Sequence, residues 1–259
     1  MKLNKLIAIA TISLLSGGIS MAQKALNLED IVAGNIIQTK GIGSMTWLKD
    51  GERYSRLENN KQTGGTDIVA YRAKDNSREV IIPSSLLTDK STGRPIPVRS
   101  ISWSADNEKI LIYNNTRRVW RYDTRGDYWV LNLKDGALRQ LGKGMPESSM
   151  MFAKFSPDGT RVAYVSNNNI YVEDIDSGKI TQLTKDGSDT IVNGTFDWVY
   201  EEEFSCRDGF RWSPDGKHIA YWQSDTKGTG VFDIINNVDS IYAKVIHFPY
   251  PKAGTTNSA

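Results

Sequence analysis

From Trp47 onward the chain is built of short alternations of apolar and polar residues separated by clusters of turn formers. Arg161-Val162-Ala163-Tyr164-Val165 and His218-Ile219-Ala220-Tyr221-Trp222 carry β-branched and aromatic side chains in the pattern of a strand. Ahead of each stands a Ser-Pro-Asp-Gly turn, in which Pro presets the first turn position and Gly supplies a positive φ. The unit recurs. Its anchors are Trp47-Leu48-Lys49-Asp50-Gly51, Trp103-Ser104-Ala105-Asp106-Asn107, Phe155-Ser156-Pro157-Asp158-Gly159 and Trp212-Ser213-Pro214-Asp215-Gly216, at intervals of 56, 52 and 57 residues.

The clearest unit predicts strands at Val162–Ser166, Ile170–Asp174 and Lys179–Leu183, joined by Asn167-Asn168-Asn169 and Asp176-Ser177-Gly178 turns. Tyr128–Leu133 and Ala137–Leu141, joined by Lys134-Asp135-Gly136, repeat the pattern. Four antiparallel strands per repeat make a propeller blade, and a sandwich would not explain the near-constant spacing. The prediction is an all-β chain of about four four-stranded antiparallel blades, an incomplete propeller. A half-built ring would leave an open sheet edge, so the sequence is expected to be the N-terminal portion of a longer protein, with a short four-blade product as the alternative.

Residues 1–22 have the form of a signal peptide: Lys2 and Lys5, an apolar run from Leu6 to Leu15, and small residues up to a cleavage point after Ala22. The run is shorter than the ~20 residues that span a bilayer, and no cysteine follows closely enough to take a lipid anchor. The expectation is an exported protein, periplasmic or secreted, with residues 23–259 as its propeller part and no membrane insertion after cleavage. Lys2 and Lys5 account for the whole formal charge of +2. The balanced remainder lacks the clustered basic excess that nucleic acid requires.

Chemistry enters with Asp197-Trp198-Val199-Tyr200-Glu201-Glu202-Glu203-Phe204. Three adjacent carboxylates behind two aromatics repel one another where screening is poor, which makes sense if a cation binds there. The plainer reading is a short acidic helix start, with Asp197 as N-cap and the glutamates favoured by the helix dipole. Cys206 is the only cysteine, so no internal disulfide forms; it reads as a packed small side chain, having no histidine near it to make a nucleophile. His218 and His247 read as structural. No Gly-x-Ser-x-Gly elbow, zinc-type ligand spacing, calcium loop or phosphate loop occurs, so the chain is expected to hold no catalytic residue, metal or cofactor.

Asp-Trp-Val-Tyr-Glu-Glu-Glu resembles the signature of the dipeptidyl peptidase IV branch of the prolyl oligopeptidase family of serine peptidases. Val119-Trp120-Arg121 upstream and Pro249-Tyr250-Pro251-Lys252-Ala253-Gly254 downstream resemble segments of the same branch in the same order. The likeness runs from about Leu28 to the last residue. It implies that Glu202 and Glu203 bind the free α-amino group of a peptide and that Arg121 meets a substrate carbonyl. Asp197, Trp198, Tyr200 and Glu201 would support the motif, with Glu201 paired to Arg207 or Arg211 and the two aromatics wedged against a blade. The rival reading of Arg121, a blade-surface arginine paired with Asp123 or Asp127, is the less favoured for it and the expected one for Arg117, Arg118 and Arg125. The segment Phe204–Arg211 is shorter and less apolar than in the animal enzymes, which leaves the pocket wall open.

By the same resemblance the whole protein would release N-terminal dipeptides, or tripeptides, with Pro or Ala before the cut. Its Ser, Asp and His would come from a C-terminal α/β-hydrolase domain absent here, and homodimerisation is common in that branch. A non-catalytic periplasmic propeller serving as a binding or scaffold module is the alternative.

Overall fold

The computed structural model describes residues 27–32, 41 and 43–259. The expected signal peptide lies outside the described residues. The chain divides into two compact units, Met1–Gly43 and Ser44–Ala259. The described part of the first contains the short helix α1 (Leu28–Val32).

Three four-stranded antiparallel blades dominate the second unit. Blade one is β1 (Thr46–Trp47), β2 (Arg53–Asn59), β3 (Thr66–Arg72) and β4 (Arg78–Ile82), paired in that order. A 3-10 turn (Ser84–Leu87) and the small pair β5 (Thr88–Asp89) and β6 (Arg94–Pro95) lead to blade two. That blade is β7 (Ser100–Trp103), β8 (Lys109–Val119), β9 (Tyr122–Asn132) and β10 (Leu138–Gln140). Blade three is β11 (Met151–Phe155), β12 (Arg161–Ser166), β13 (Asn169–Asp174) and β14 (Ile180–Gln182).

Period-two alternation decides which blade each side chain meets. In β12, Val162 and Tyr164 join Leu111, Tyr128 and Val130 of blade two, while Ala163 and Val165 join Met151, Ile170 and Phe210 on the opposite face. In β8, Ile110 and Ile112 turn the other way, to Ile68 and Ile82 of blade one. Central strands covered on both faces read as continuous apolar runs, and Val162 to Val165 are fully buried.

The repeated turns are built by one local device. The Ser104, Ser156 and Ser213 hydroxyls each donate to the aspartate two positions on, at 2.5 Å. Each serine oxygen also accepts an amide five residues on: Lys109 (2.9 Å), Arg161 (3.0 Å) and His218 (2.9 Å). Asn107, Gly159 and Gly216 then take positive φ, 60°, 67° and 68°. Asn167 and Asn168, at 47° and 59°, make the two-residue turn between β12 and β13.

The fourth repeat departs from the expected four-stranded blade. Among the described residues β16 (Phe210–Trp212) and β17 (Ile219–Tyr221) form a two-stranded sheet. β15 (Ile191–Asn193) pairs with β18 (Gln223–Asp225), and β19 (Val231–Asn236) with β20 (Lys244–Pro249) as a separate hairpin. The cause is the segment between β15 and β16, which forms the helix α2 (Trp198–Phe204). Trp222 alone separates β17 from β18; its amide donates to the Gly209 carbonyl (2.8 Å) and its carbonyl accepts the Gly194 amide (2.9 Å). β17 and β18 thus run on as one line of chain that faces β16 and then β15, the strand opposite being split by the insertion.

Candidate functional site

α2 begins as the plainer reading of the motif required. Asp197 is buried and extended (ψ 173°), and its carboxylate accepts the Tyr200 amide at 3.0 Å. Its second oxygen accepts the Ser258 hydroxyl. The helix ends after seven residues because Ser205 turns left-handed (φ 56°), and the Cys206 amide returns to the Tyr200 carbonyl at 3.0 Å.

The loop carrying this helix is closed at its base. The Gly209 amide donates to the Gly194 carbonyl (3.1 Å), the Gly194 amide to Trp222 (2.9 Å), and the Thr195 hydroxyl to the Arg207 carbonyl (3.0 Å). Gly194 has φ 72°, and a Cβ there would lie 2.8 Å from Ile170. A Cβ on Gly209 would meet the Gly194 and Thr195 backbone at 3.0 Å. Both glycines are therefore required by close approach. Nothing singled them out in the sequence, although isolated glycines flanking a motif signal such contact.

The three motifs that carry the resemblance meet around α2. Trp198 packs against Phe248 of β20 (ring centroids 4.3 Å apart), Tyr250 (5.6 Å) and Trp120 (5.9 Å). Trp120 and Arg121 form the two-residue tip of the β8–β9 hairpin, closed by the pairing of Val119 with Tyr122. Trp120 takes φ 52°, strained for a bulky side chain, and its ring is held by Trp198 and by Phe248 at 5.7 Å. Tyr200 stacks on Phe196 and meets Phe204 at a 45° tilt, whereas Trp198 reaches outward to β20 and to the β8–β9 tip.

The carboxylates sit in three different environments. Glu201 faces inward, its Oε1 3.7 Å from Arg207 Nε, which settles the expected Arg207-or-Arg211 alternative as an ion pair too long for a hydrogen bond. Burial pushes the Glu201 carboxyl above its usual range and the Glu202 charge adds to the shift, while Arg207 and Arg125 oppose it. Arg207 also lies over the Tyr122 ring, 3.4 Å from its centroid. Behind the helix is a cavity of about 140 Å³ whose walls include Trp120, Arg125, Phe152, Thr195, Trp198 and Glu201.

Glu202 lies 2.6 Å (Oε2) from Arg121 Nε, and its side chain is 5% exposed, whereas that of Arg121 is 74% exposed. Its Oε1 is buried without a hydrogen-bond partner among the described residues. Glu203 is exposed and accepts the Tyr250 hydroxyl at 3.3 Å; its charge raises the Tyr250 phenol. The expected binding residues Arg121, Glu202 and Glu203 thus stand together. Tyr250 and Phe248 complete the wall. Tyr250 lies in a recognised motif without an assigned role, and Phe248 immediately precedes that motif.

The other arginines correct the expectation. Asp123 pairs with Arg99 at 3.2 Å, not with Arg117, Arg118 or Arg125. Asp127 is buried and accepts Asn115 Nδ2 (2.7 Å) and the Ser148 amide (2.8 Å), which leaves it no need of an arginine. Arg118 donates to the Trp120 carbonyl at 3.0 Å. Cys206 is a free thiol, half-buried rather than packed in the core. His247 pairs with Asp233 across the β19–β20 hairpin at 2.6 Å, and His218 precedes β17.

The family model of the dipeptidyl peptidase IV (DPP IV) N-terminal region matches residues 104–259. Dipeptidyl aminopeptidase B of Saccharomyces cerevisiae is 31% identical over 242 residues, covering 88% of this chain and 28% of that protein. Prolyl endopeptidase FAP of Mus musculus is 28% identical over 237 residues, covering 91% and 29%. The crystal structure of Porphyromonas gingivalis dipeptidyl peptidase 4 superposes with a TM-score of 0.74 at 27% identity, over 91% of this chain and 33% of that one. The chain therefore spans a third or less of the length of these relatives. By the extent of these matches and the blades they share, the chain belongs to the family of dipeptidyl peptidase IV N-terminal regions.

Proposed function

We propose that this chain is the recognition part of an exported serine exopeptidase that removes dipeptides from peptide N-termini, with Glu202 and Glu203 holding the substrate's protonated α-amino group. The observation that carries the reading is the pairing of a buried carboxylate, one oxygen unpartnered, with an exposed one beside it. An ammonium offers three donors, and two fixed carboxylates can accept them as charge-assisted hydrogen bonds. Arg121, on the hairpin tip above Glu202, is the donor for the carbonyl that follows the amine.

In this reading the carboxylates act as a ruler. They fix the chain terminus, and the distance to a nucleophile on an α/β-hydrolase domain outside this chain sets how many residues precede the cut. Such an enzyme prefers Pro or Ala before the cut and works in the periplasm or outside the cell. The chain by itself binds termini and hydrolyses nothing.

Calorimetry of alanyl-alaninamide with the chain tests this. The free dipeptide amide should bind and its N-acetyl derivative should not. Glu202→Gln with Glu203→Gln should remove roughly 3–6 kcal/mol of binding, at ~1.5–3 per charge-assisted bond. Equal binding of the free and acetylated forms, or no loss in the double variant, refutes the reading.

A further inference from the structure

The Arg121–Glu202 pair is unusually lopsided. Both groups are charged, they lie 2.6 Å apart, yet the arginine side chain is 74% exposed and the glutamate 5%. Removing an exposed guanidinium to water changes its solvation little. Leaving a nearly buried carboxylate without a cation is expensive, because water does not replace the lost partner. Glu202 therefore always needs a cation, and Arg121 is the one that can leave. It sits on a two-residue hairpin tip, where side-chain rotation requires no backbone movement.

We propose that Arg121 is the resident cation of the empty site and that a peptide N-terminus binds by exchange, displacing the guanidinium from Glu202. The proposal rests on the reading of Glu202 and Glu203 as the amine site. Exchange conserves charge: one cation leaves Glu202 as another arrives, so the buried carboxylate is never bare. The displaced guanidinium keeps five donors that need an acceptor. A peptide provides one in the carbonyl next to its amine; a simple alkylamine does not.

Exchange therefore makes Arg121 a specificity filter as well as a contact. Against an amine without a neighbouring carbonyl it acts as a competitor already bound. Against a peptide N-terminus it competes for Glu202 and then compensates through the carbonyl. Lysine side chains and alkylamines, abundant cations of similar charge, are excluded by this difference and not by shape. Specificity of this kind is a difference between two affinities, set by a repulsive element as much as by an attractive one. The buried, unpartnered Oε1 of Glu202 leaves an acceptor for the ammonium to fill as Arg121 withdraws.

The test compares two probes, propylammonium and alanyl-alaninamide, titrated by NMR into the wild-type chain and into Arg121→Ala, Arg121→Gln and Glu202→Gln at one pH and one ionic strength. Exchange predicts that both Arg121 variants bind propylammonium more tightly than wild type, by about fivefold to tenfold for loss of an internal competitor. Alanyl-alaninamide should gain nothing or weaken, so the preference for peptide over alkylamine falls by about fivefold or more, and Glu202→Gln should weaken both probes. Propylammonium bound equally or less tightly by both Arg121 variants overturns the exchange while leaving the amine site intact. Tighter propylammonium binding that survives Glu202→Gln places the cation elsewhere and also overturns it. Binding of neither probe to wild type or to any variant removes the amine-site reading, and the exchange falls with it. Because loss of Arg121 leaves the buried Glu202 without its cation, both variants should melt below wild type and regain stability when propylammonium is added, and agreement between Ala and Gln guards against a local artefact.

Discussion

Blade three and the fourth repeat start from turns of identical sequence, Ser156-Pro157-Asp158-Gly159 and Ser213-Pro214-Asp215-Gly216, and from matching hydrogen bonds. Blade three continues to four strands with β12 buried on both faces. The fourth repeat forms two strands, and Tyr221 and Trp222 remain 45% and 66% exposed. Local chemistry is the same in both; what differs is the chain inserted just before. The α2 loop splits the strand opposite β17 and β18 into β15 and β16, and the candidate site is carried on that insertion. A turn motif fixes a hairpin, but the strand count of a blade depends on what lies on either side.

This contrast can be broken most sharply in the cores. Tyr164 is fully buried in blade three, and Tyr164→Ala should destabilise by about 3–5 kcal/mol, read from urea melts. Tyr221→Ala at the matching place in the fourth repeat should cost less than about 1 kcal/mol, as for an exposed surface change. Equal losses would show that the fourth repeat is packed as a full blade.

A second pair of effects separates site from scaffold. Gly194→Ala puts a methyl group 2.8 Å from Ile170 at φ 72°, and should cost about 1–3 kcal/mol by overpacking. Because Gly194 closes the α2 loop, the variant should also weaken binding of alanyl-alaninamide; unchanged affinity would show that loop closure does not position the carboxylates. Asp197→Ala removes the N-cap of α2 and should cost about 1 kcal/mol. Hydrogen exchange should quicken in α2 and stay unchanged in blade three.

Much of the fold could be read directly from residues. The Ser-x-Asp turns, the Asn167-Asn168 reversal and the Asp197 cap are decided within about five positions, so pattern and turn chemistry suffice. Pairing of the arginines was misread because proximity in sequence does not say which face a strand presents: Arg117 stands opposite Arg125 in the ladder, and Asp127 turns inward to Asn115. Glu203 with Tyr250, and Glu202 with Arg121, are contacts between distant segments. The motifs identified their members, but only the folded chain shows that one carboxylate is buried under an exposed arginine. The missing strands of the fourth repeat were hidden for the same reason, since Ile219-Ala220-Tyr221 has the same alternation as a completed strand.

The smallest expected effect probes the shared turn itself. The Ser156 hydroxyl, with the Thr160 amide, holds Asp158 down to about 2, and the Ser213 hydroxyl lowers Asp215 in the same way. A depressed carboxylate stabilises above its unfolded pKa of ~3.9 and loses that contribution as pH falls through its folded value. Asp158→Asn should flatten the loss of stability between about pH 4 and pH 2, and Asp215→Asn should flatten the loss below about pH 4 in the same direction. A much larger change for one of them would mean that the two turns are not equivalent.

The central claim is that three separate motifs converge on one buried and one exposed carboxylate to receive a peptide amine. A crystal structure of the chain with alanyl-alaninamide tests it most directly. The account predicts the terminal nitrogen within ~3 Å of oxygens of both Glu202 and Glu203, with Arg121 withdrawn from Glu202 toward the first carbonyl. A dipeptide bound elsewhere, or one bound with its amine away from both glutamates, would contradict it.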